Sequence, residues 1–370
     1  MKKKILFYHP IFLDGGAEKT NLSISREFSK SYEIIYVSNI FSNKFDKEIN
    51  ELKIKKICLR NKRTIFSFLE IYNILKNLKP DIIFSVQMHA NVLILMINFF
   101  LFFNKLKIIC CERLSPQSYG NNFKDKFIIT LSKIFYRFSK KIICNSKDLA
   151  KEIRNISKTN NVTFIYNPTL KQNFKILAKK FIVKEKPFLL KKVKKIISIG
   201  RLDNNKNQLM LLKAFNLLEK NEKQKIKIVL IGEGKNKNLL KNYAKLKNFE
   251  ENIYFYNFKK NPYPYLYKSD LMVLTSNFEG LPNVLIEAMS LNIPIISTNS
   301  PTGPREILLD GKAGFLINKN DYQNLSKKIS LFLKFPKAFN KKKIFYKKSL
   351  DRFNPKKSLS KYKQIVNSFC

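Results

Sequence analysis

The sequence predicts an α/β protein made of two Rossmann-like parallel-sheet domains. Three observations carry this. Short β-branched or aromatic runs alternate with helical stretches from one end of the chain to the other, the pattern of parallel sheets covered by helices. The alternation runs twice, on either side of a lysine-clustered segment at 171–195. Glycine is scarce, ten residues in 370, and nearly all of it sits in tight turns or directly after predicted strands, where a ligand or a second backbone comes close.

In the first series, strands are expected at 4–8, 33–38, 55–59, 81–86, 107–111, 141–144 and 162–166, with helices such as 65–78 and 146–156 between them. The second series has strands at 195–200, 226–232, 253–256, 271–275 and 294–298. The expected domains are residues 1–180 and 181–350, followed by a C-terminal segment at 351–370. In that segment Leu359, Tyr362, Ile365, Val366 and Phe369 recur at helical spacing, so it should form a helix packing back toward the first domain. Ligands of open parallel sheets bind outside the carboxyl ends of the strands, so two such domains are expected to face each other across a cleft.

Composition removes several classes of function. The five cysteines lack CxxC spacing and only His9 and His89 accompany them, which speaks against a zinc site and for reduced thiols in the cytosol. Lys2, Lys3 and Lys4 lead into an apolar run too short for a secretion signal. The longest apolar stretch, 92–103, is broken by Asn98 and falls short of the roughly 20 residues a membrane-spanning helix needs. The formal charge of +44 comes from 62 lysines and nine arginines spread along the whole chain. Much of it is compositional background, and no nucleic-acid motif accompanies it. A strongly positive field still favours phosphorylated substrates or an anionic membrane surface.

Four segments carry the chemistry. Asp14-Gly15-Gly16-Ala17-Glu18 follows the first strand and opens a helix, a geometry that presents backbone N–H groups to an anion. Gly200-Arg201-Leu202-Asp203 with Lys206 and Asn207 repeats the arrangement in the second domain, where Arg201 offers a bidentate fork and Lys206 a point charge, suited to a diphosphate. Residues 275–289 place Glu279 in a loop with Gly280, Leu281 and Pro282, then Asn283, Val284 and Glu287 at the start of a helix. An ionised carboxylate there can accept both hydroxyls of a ribose. Residues 300–307, including Pro304 and Arg305, form an expected pocket wall. Read in isolation, each of these segments also serves as an ordinary turn or connector.

Together, residues 279–287, Gly200-Arg201-Leu202 and Lys206-Asn207 resemble the donor half of retaining glycosyltransferases of family 4, which have the GT-B fold. Gly15-Gly16-Ala17-Glu18, Glu112-Arg113, Asn145-Ser146 and Tyr166-Asn167-Pro168 resemble the acceptor half. The resemblance implies that Glu287 holds the ribose, Arg201 and Lys206 the diphosphate, and Glu279 the transferred sugar, with Gly15-Gly16 near the phosphates and the acceptor. Residues 300–307 are similar to enzymes that transfer N-acetylhexosamines onto lipid-linked oligosaccharides. His89, just after the strand 81–86, is a candidate to polarise a sugar hydroxyl, and Glu112 with Arg113 to contact acceptor, or simply to pair with each other.

The implied reaction is retaining transfer of a hexose or N-acetylhexosamine from a nucleotide sugar, UDP by family frequency, to a polyprenyl-diphosphate-linked glycan. No metal or other cofactor is expected, because the segments hold no DxD-like metal motif in a suitable loop. The partners expected are the nucleotide sugar, the lipid-linked acceptor and an anionic membrane, not nucleic acid; the chain would sit peripherally on the inner face of the cytoplasmic membrane. A sugar-nucleotide epimerase of the same fold and a non-catalytic basic binding protein are the competing readings.

Overall fold

The structure, a computed structural model, describes residues 2–13, 15–120, 122–168, 170 and 174–369. The chain forms two compact units, one from Met1–Thr169 and Asn354–Cys370, the other from Leu170–Phe353.

The first unit holds a sheet of seven parallel strands: β1 (Lys4–Tyr8), β3 (Glu33–Ser38), β5 (Lys55–Cys58), β6 (Ile82–Val86), β7 (Ile108–Glu112), β8 (Lys141–Cys144) and β9 (Val162–Phe164). Their order is β5-β3-β1-β6-β7-β8-β9. The pair β2 (Ile11–Phe12) and β4 (Ile40–Phe41) makes a separate ribbon at the strand ends. Helices cover both sheet faces, so the central strands are apolar at nearly every position rather than alternating. In β1, Ile5 and Phe7 enter one core with Phe84, and Leu6 and Tyr8 the opposite core with Ile83. The pleat sends successive side chains to opposite layers.

The second unit repeats the scheme with six parallel strands, β10 (Lys194–Ile199), β11 (Ile226–Ile231), β12 (Ile253–Tyr256), β13 (Leu271–Leu274), β14 (Ile295–Thr298) and β15 (Phe315–Ile317), ordered β12-β11-β10-β13-β14-β15. All their pairings are parallel.

The boundary expected after residue 180 falls earlier. Residues from 170 onward belong to the second unit because the helix Phe174–Lys180 packs on the short helix Tyr263–Tyr267, with Phe174 and Tyr263 ring centroids 4.3 Å apart. The chain re-enters the first unit at Asn354, three residues later than expected. Its last helix, Pro355–Asn367, sinks Tyr362 and Val366 fully into that core beside Phe84, and Lys363 pairs with Glu27 at 2.5 Å.

Candidate active site

Three loops of the second unit converge because they leave neighbouring strands at the same carboxyl edge: β10, β13 and β14 lie side by side. The loop after β10 is sutured to the loop after β13. Asn277 N donates to the Asn205 carbonyl (2.7 Å), Asn205 Oδ1 accepts from Phe278 N (3.1 Å), and Thr275 Oγ1 donates to the Lys206 carbonyl (2.8 Å). The loop after β14 joins them where Thr298 Oγ1 donates to the Ser276 carbonyl at 2.6 Å and Thr302 donates to the Glu279 carbonyl. Gly303 has φ +88, and a Cβ on it would lie 2.6 Å from the Gly280 carbonyl oxygen, so no other residue fits that crossing.

This stitching brings together residues 73 positions apart. Lys206 Nζ lies 2.5 Å from Glu279 Oε1, and both side chains are largely enclosed. Asp203 Oδ1 accepts from Lys206 N (2.9 Å) and shapes the turn, while the aliphatic stem of Lys206 runs over Gly200. Arg201 touches Asp203 at 3.4 Å and leaves most of its guanidinium in solvent. Gly280 and Leu281 are buried under the turn. Asn283 and Val284 begin the helix Asn283–Ser290, and Glu287 on that helix is buried. Tyr263 donates a hydrogen bond to Glu287, and burial beside this carboxylate pushes the phenol's pKa far up. Pro304 and Arg305 open a four-residue helix, where Arg305 is exposed and 3.9 Å from Asp310.

In the first unit, Gly15 caps the helix Gly16–Phe28, and Glu18 folds back to accept from Leu13 N at 3.1 Å. A Cβ on Gly15 would lie 2.7 Å from the Glu18 carboxylate. Asp14 lies outside the described residues. His89 is the second residue of the helix Met88–Phe102, half-buried, with its pKa lowered by burial and then by His9.

Glu112 and Arg113 diverge instead of pairing, since consecutive positions at a strand end face opposite layers. Glu112 is 2% exposed and accepts from Asn91 Nδ2 (2.6 Å) and from the Tyr136 hydroxyl. Burial pushes its carboxyl up to about 7. Arg113 turns the other way and donates to Asn167 Oδ1 (3.1 Å) and to the Tyr362 hydroxyl (3.2 Å). The ion pair that the sequence left open as an alternative is therefore not formed: the two side chains take separate partners.

Several contacts around these groups were not foreseen from the sequence. His9 follows β1 and is buried, its imidazole held neutral by desolvation and Arg113, with a pKa lowered to about 3. His9 Nε2 and the side-chain oxygens of Asn21 and Asn145 are buried without a partner among the described residues. The scarcity of histidine was the available signal. Tyr263 and Tyr362 had none, because nothing in the sequence ties them to Glu287 or Arg113.

Each half of the chain matches a known family. The family model described as glycosyl transferases group 1 matches residues 179–349, and that described as Glycosyltransferase Family 4 matches residues 14–169. An uncharacterised glycosyltransferase of Methanocaldococcus jannaschii is 32% identical over 300 residues, covering 77% of this chain and 73% of that protein. The chain belongs to the group 1 and family 4 glycosyltransferases. A second relative of this glycosyltransferase is the Campylobacter jejuni N-acetylgalactosamine-N,N'-diacetylbacillosaminyl-diphospho-undecaprenol 4-alpha-N-acetylgalactosaminyltransferase, 28% identical with 94% and 96% coverage. Its GT-B fold is shared with Anabaena HepE, solved in complex with UDP and glucose, at a TM-score of 0.80 and 16% identity over 99% of this chain and 100% of that one. Both matched models follow the division into two units.

Proposed function

We propose that this glycosyltransferase moves a hexose or N-acetylhexosamine from a UDP-sugar to a polyprenyl-diphosphate-linked glycan, with retention of configuration, in surface glycan biosynthesis. The observation that carries the reading is the convergence of Lys206, Glu279 and Arg201 at one sheet edge. The Campylobacter relative supports the acceptor class, and the UDP complexes of HepE support the nucleotide.

In this reading the second unit holds the donor. Glu287, steadied by Tyr263, accepts from the ribose hydroxyls. Arg201 and Lys206 neutralise the diphosphate as it departs, which is electrostatic stabilisation of charge developing in the transition state. Glu279 holds a hydroxyl of the transferred sugar and fixes the Lys206 ammonium. The bond from the anomeric carbon to the phosphate oxygen breaks, the bond to the acceptor oxygen forms on the same face, and the acceptor proton passes to the departing phosphate. Gly280, Leu281, Asn283, Val284, Pro304 and Arg305 line the donor side. The first unit serves the acceptor and the reacting sugar through Gly15, Gly16, Arg113 and the neutral imidazole of His89, and Glu112 contributes through the network beneath them. With two cations on the diphosphate the transfer runs without a metal, so excess EDTA should leave the rate unchanged.

Among the described residues no helix is long and apolar enough to cross a membrane. We place the enzyme peripherally on the inner face of the cytoplasmic membrane, where its acceptor's diphosphate is presented. Nucleotide release from UDP-, GDP- and ADP-sugars with membrane-extracted lipid acceptors tests the proposal. Glu287→Ala should lose acceptor-dependent release and weaken UDP binding roughly 10- to 100-fold. Release from no donor, with no UDP-induced thermal shift, would reject it.

A further inference from the structure

The helix Phe123–Phe135 in the first unit is apolar on two sides. Phe135 is buried and Ile128 and Ile129 pack against the core beneath the sheet. At 100° per residue, Phe123, Phe127 and Ile134 fall within about 40° of one another on the opposite side. They are 82%, 50% and 45% exposed, and the rings of Phe123 and Phe127 lie parallel with centroids 6.2 Å apart. This outer stripe contributes nothing to the core.

Exposed Lys124, Lys126, Lys133 and Arg137 surround it. The helix's acid, Asp125, is turned to the N-terminal cap, where it accepts from Gly120 N at 2.7 Å. The helix Met88–Phe102, which packs against this one, ends at two further exposed rings, Phe100 and Phe103. Aromatic rings that enter a bilayer's interfacial region while lysine stems reach outward to the headgroups are the recognised form of an interfacial helix. A second copy of a chain carrying +44 would repel the first, whereas an anionic leaflet attracts each lysine.

We infer that the stripe Phe123–Phe127–Ile134, with Phe100 and Phe103, docks this enzyme on an anionic phospholipid bilayer. The inference rests on the lipid-linked acceptor proposed above and names the surface by which it is reached.

The sequence contains no tryptophan, so Phe127→Trp supplies a single emitter. Its fluorescence should shift to the blue with vesicles of phosphatidylcholine and phosphatidylglycerol, but not with phosphatidylcholine alone, and added salt should weaken the shift. Phe335→Trp, exposed on the second unit, should not respond. The double variant Phe123→Ser/Phe127→Ser should keep its melting temperature and lose flotation with the anionic vesicles roughly tenfold or more. It should also turn over detergent-dispersed acceptor normally and vesicle-embedded acceptor poorly. No blue shift in the Phe127→Trp variant, flotation of the double variant equal to wild type, or a vesicle-independent shift that grows with protein concentration would overturn the inference. Flotation lost in the double variant while wild type turns over no lipid acceptor would leave the surface standing and reject the acceptor.

Discussion

At the residue scale the enzyme places two titratable groups where water cannot reach them, with opposite effects on stability. Glu112 rises from 4.5 to about 7 in the fold, mainly because burial penalises its charge. The folded chain therefore keeps a proton that the unfolded chain loses, so stability from this group is intact below the unfolded value and is lost as pH rises to about 7. His9, lowered from 6.5 to about 3, acts in the other direction: stability grows as pH climbs from its folded to its unfolded value. Glu112→Gln should remove only the first dependence. Referenced to wild type at acid pH, its stability in denaturant melts should gain up to about 3 kcal/mol by pH 8, and a gain independent of pH would contradict this assignment. At Lys206, replacement by Ala should lower kcat by roughly 100-fold or more and leave the fold intact. An unchanged kcat with only a higher KM would show that the ammonium binds donor and departing diphosphate equally.

At the scale of elements, the central strands were legible because both their faces are buried: β1, β6, β7 and β13 are apolar at nearly every position. The ribbon β2–β4 and strand β15 were not, since two or three residues carry no period. The helix Phe174–Lys180 hid inside a lysine-clustered stretch, and only its contact with Tyr263 reveals its allegiance. The loops after β10, β13 and β14 were legible residue by residue through glycine scarcity and the rarity of arginine, yet the sutures between them, made by Asn205, Thr275, Thr298 and Thr302, were not. Small polar residues occur everywhere in this sequence, and only the adjacency of β10, β13 and β14 gives these their partners. Gly232 sits at the same edge, with φ +151 and a would-be Cβ 2.0 Å from the Gly200 carbonyl oxygen. Gly232→Ala should cost on the order of 3 kcal/mol or more. Gly311→Ala, with φ +87 but no neighbour nearer than 3.8 Å, should cost about 1 kcal/mol. Equal melting temperatures for the two variants would show that the crossing of β10 and β11 loops relaxes freely.

At the scale of the molecule, the second unit is an insertion into the first, which the chain leaves near residue 169 and rejoins at Asn354. Tyr362 is fully buried, lies 6.4 Å from Phe84 by ring centroid, and accepts from Arg113. Tyr362→Ala should destabilise the first unit by about 3–5 kcal/mol while hydrogen exchange in β10–β15 stays at the wild-type rate. Exchange rising equally in both units would mean that they unfold as one. The same return of the chain orders its birth on the ribosome. The residues that fill the first unit's core at Tyr362 and Val366 are translated after the whole second unit, so the part made first is the part completed last. A released chain ending at Phe353 should accordingly carry a protease-resistant second unit behind a protease-sensitive first one.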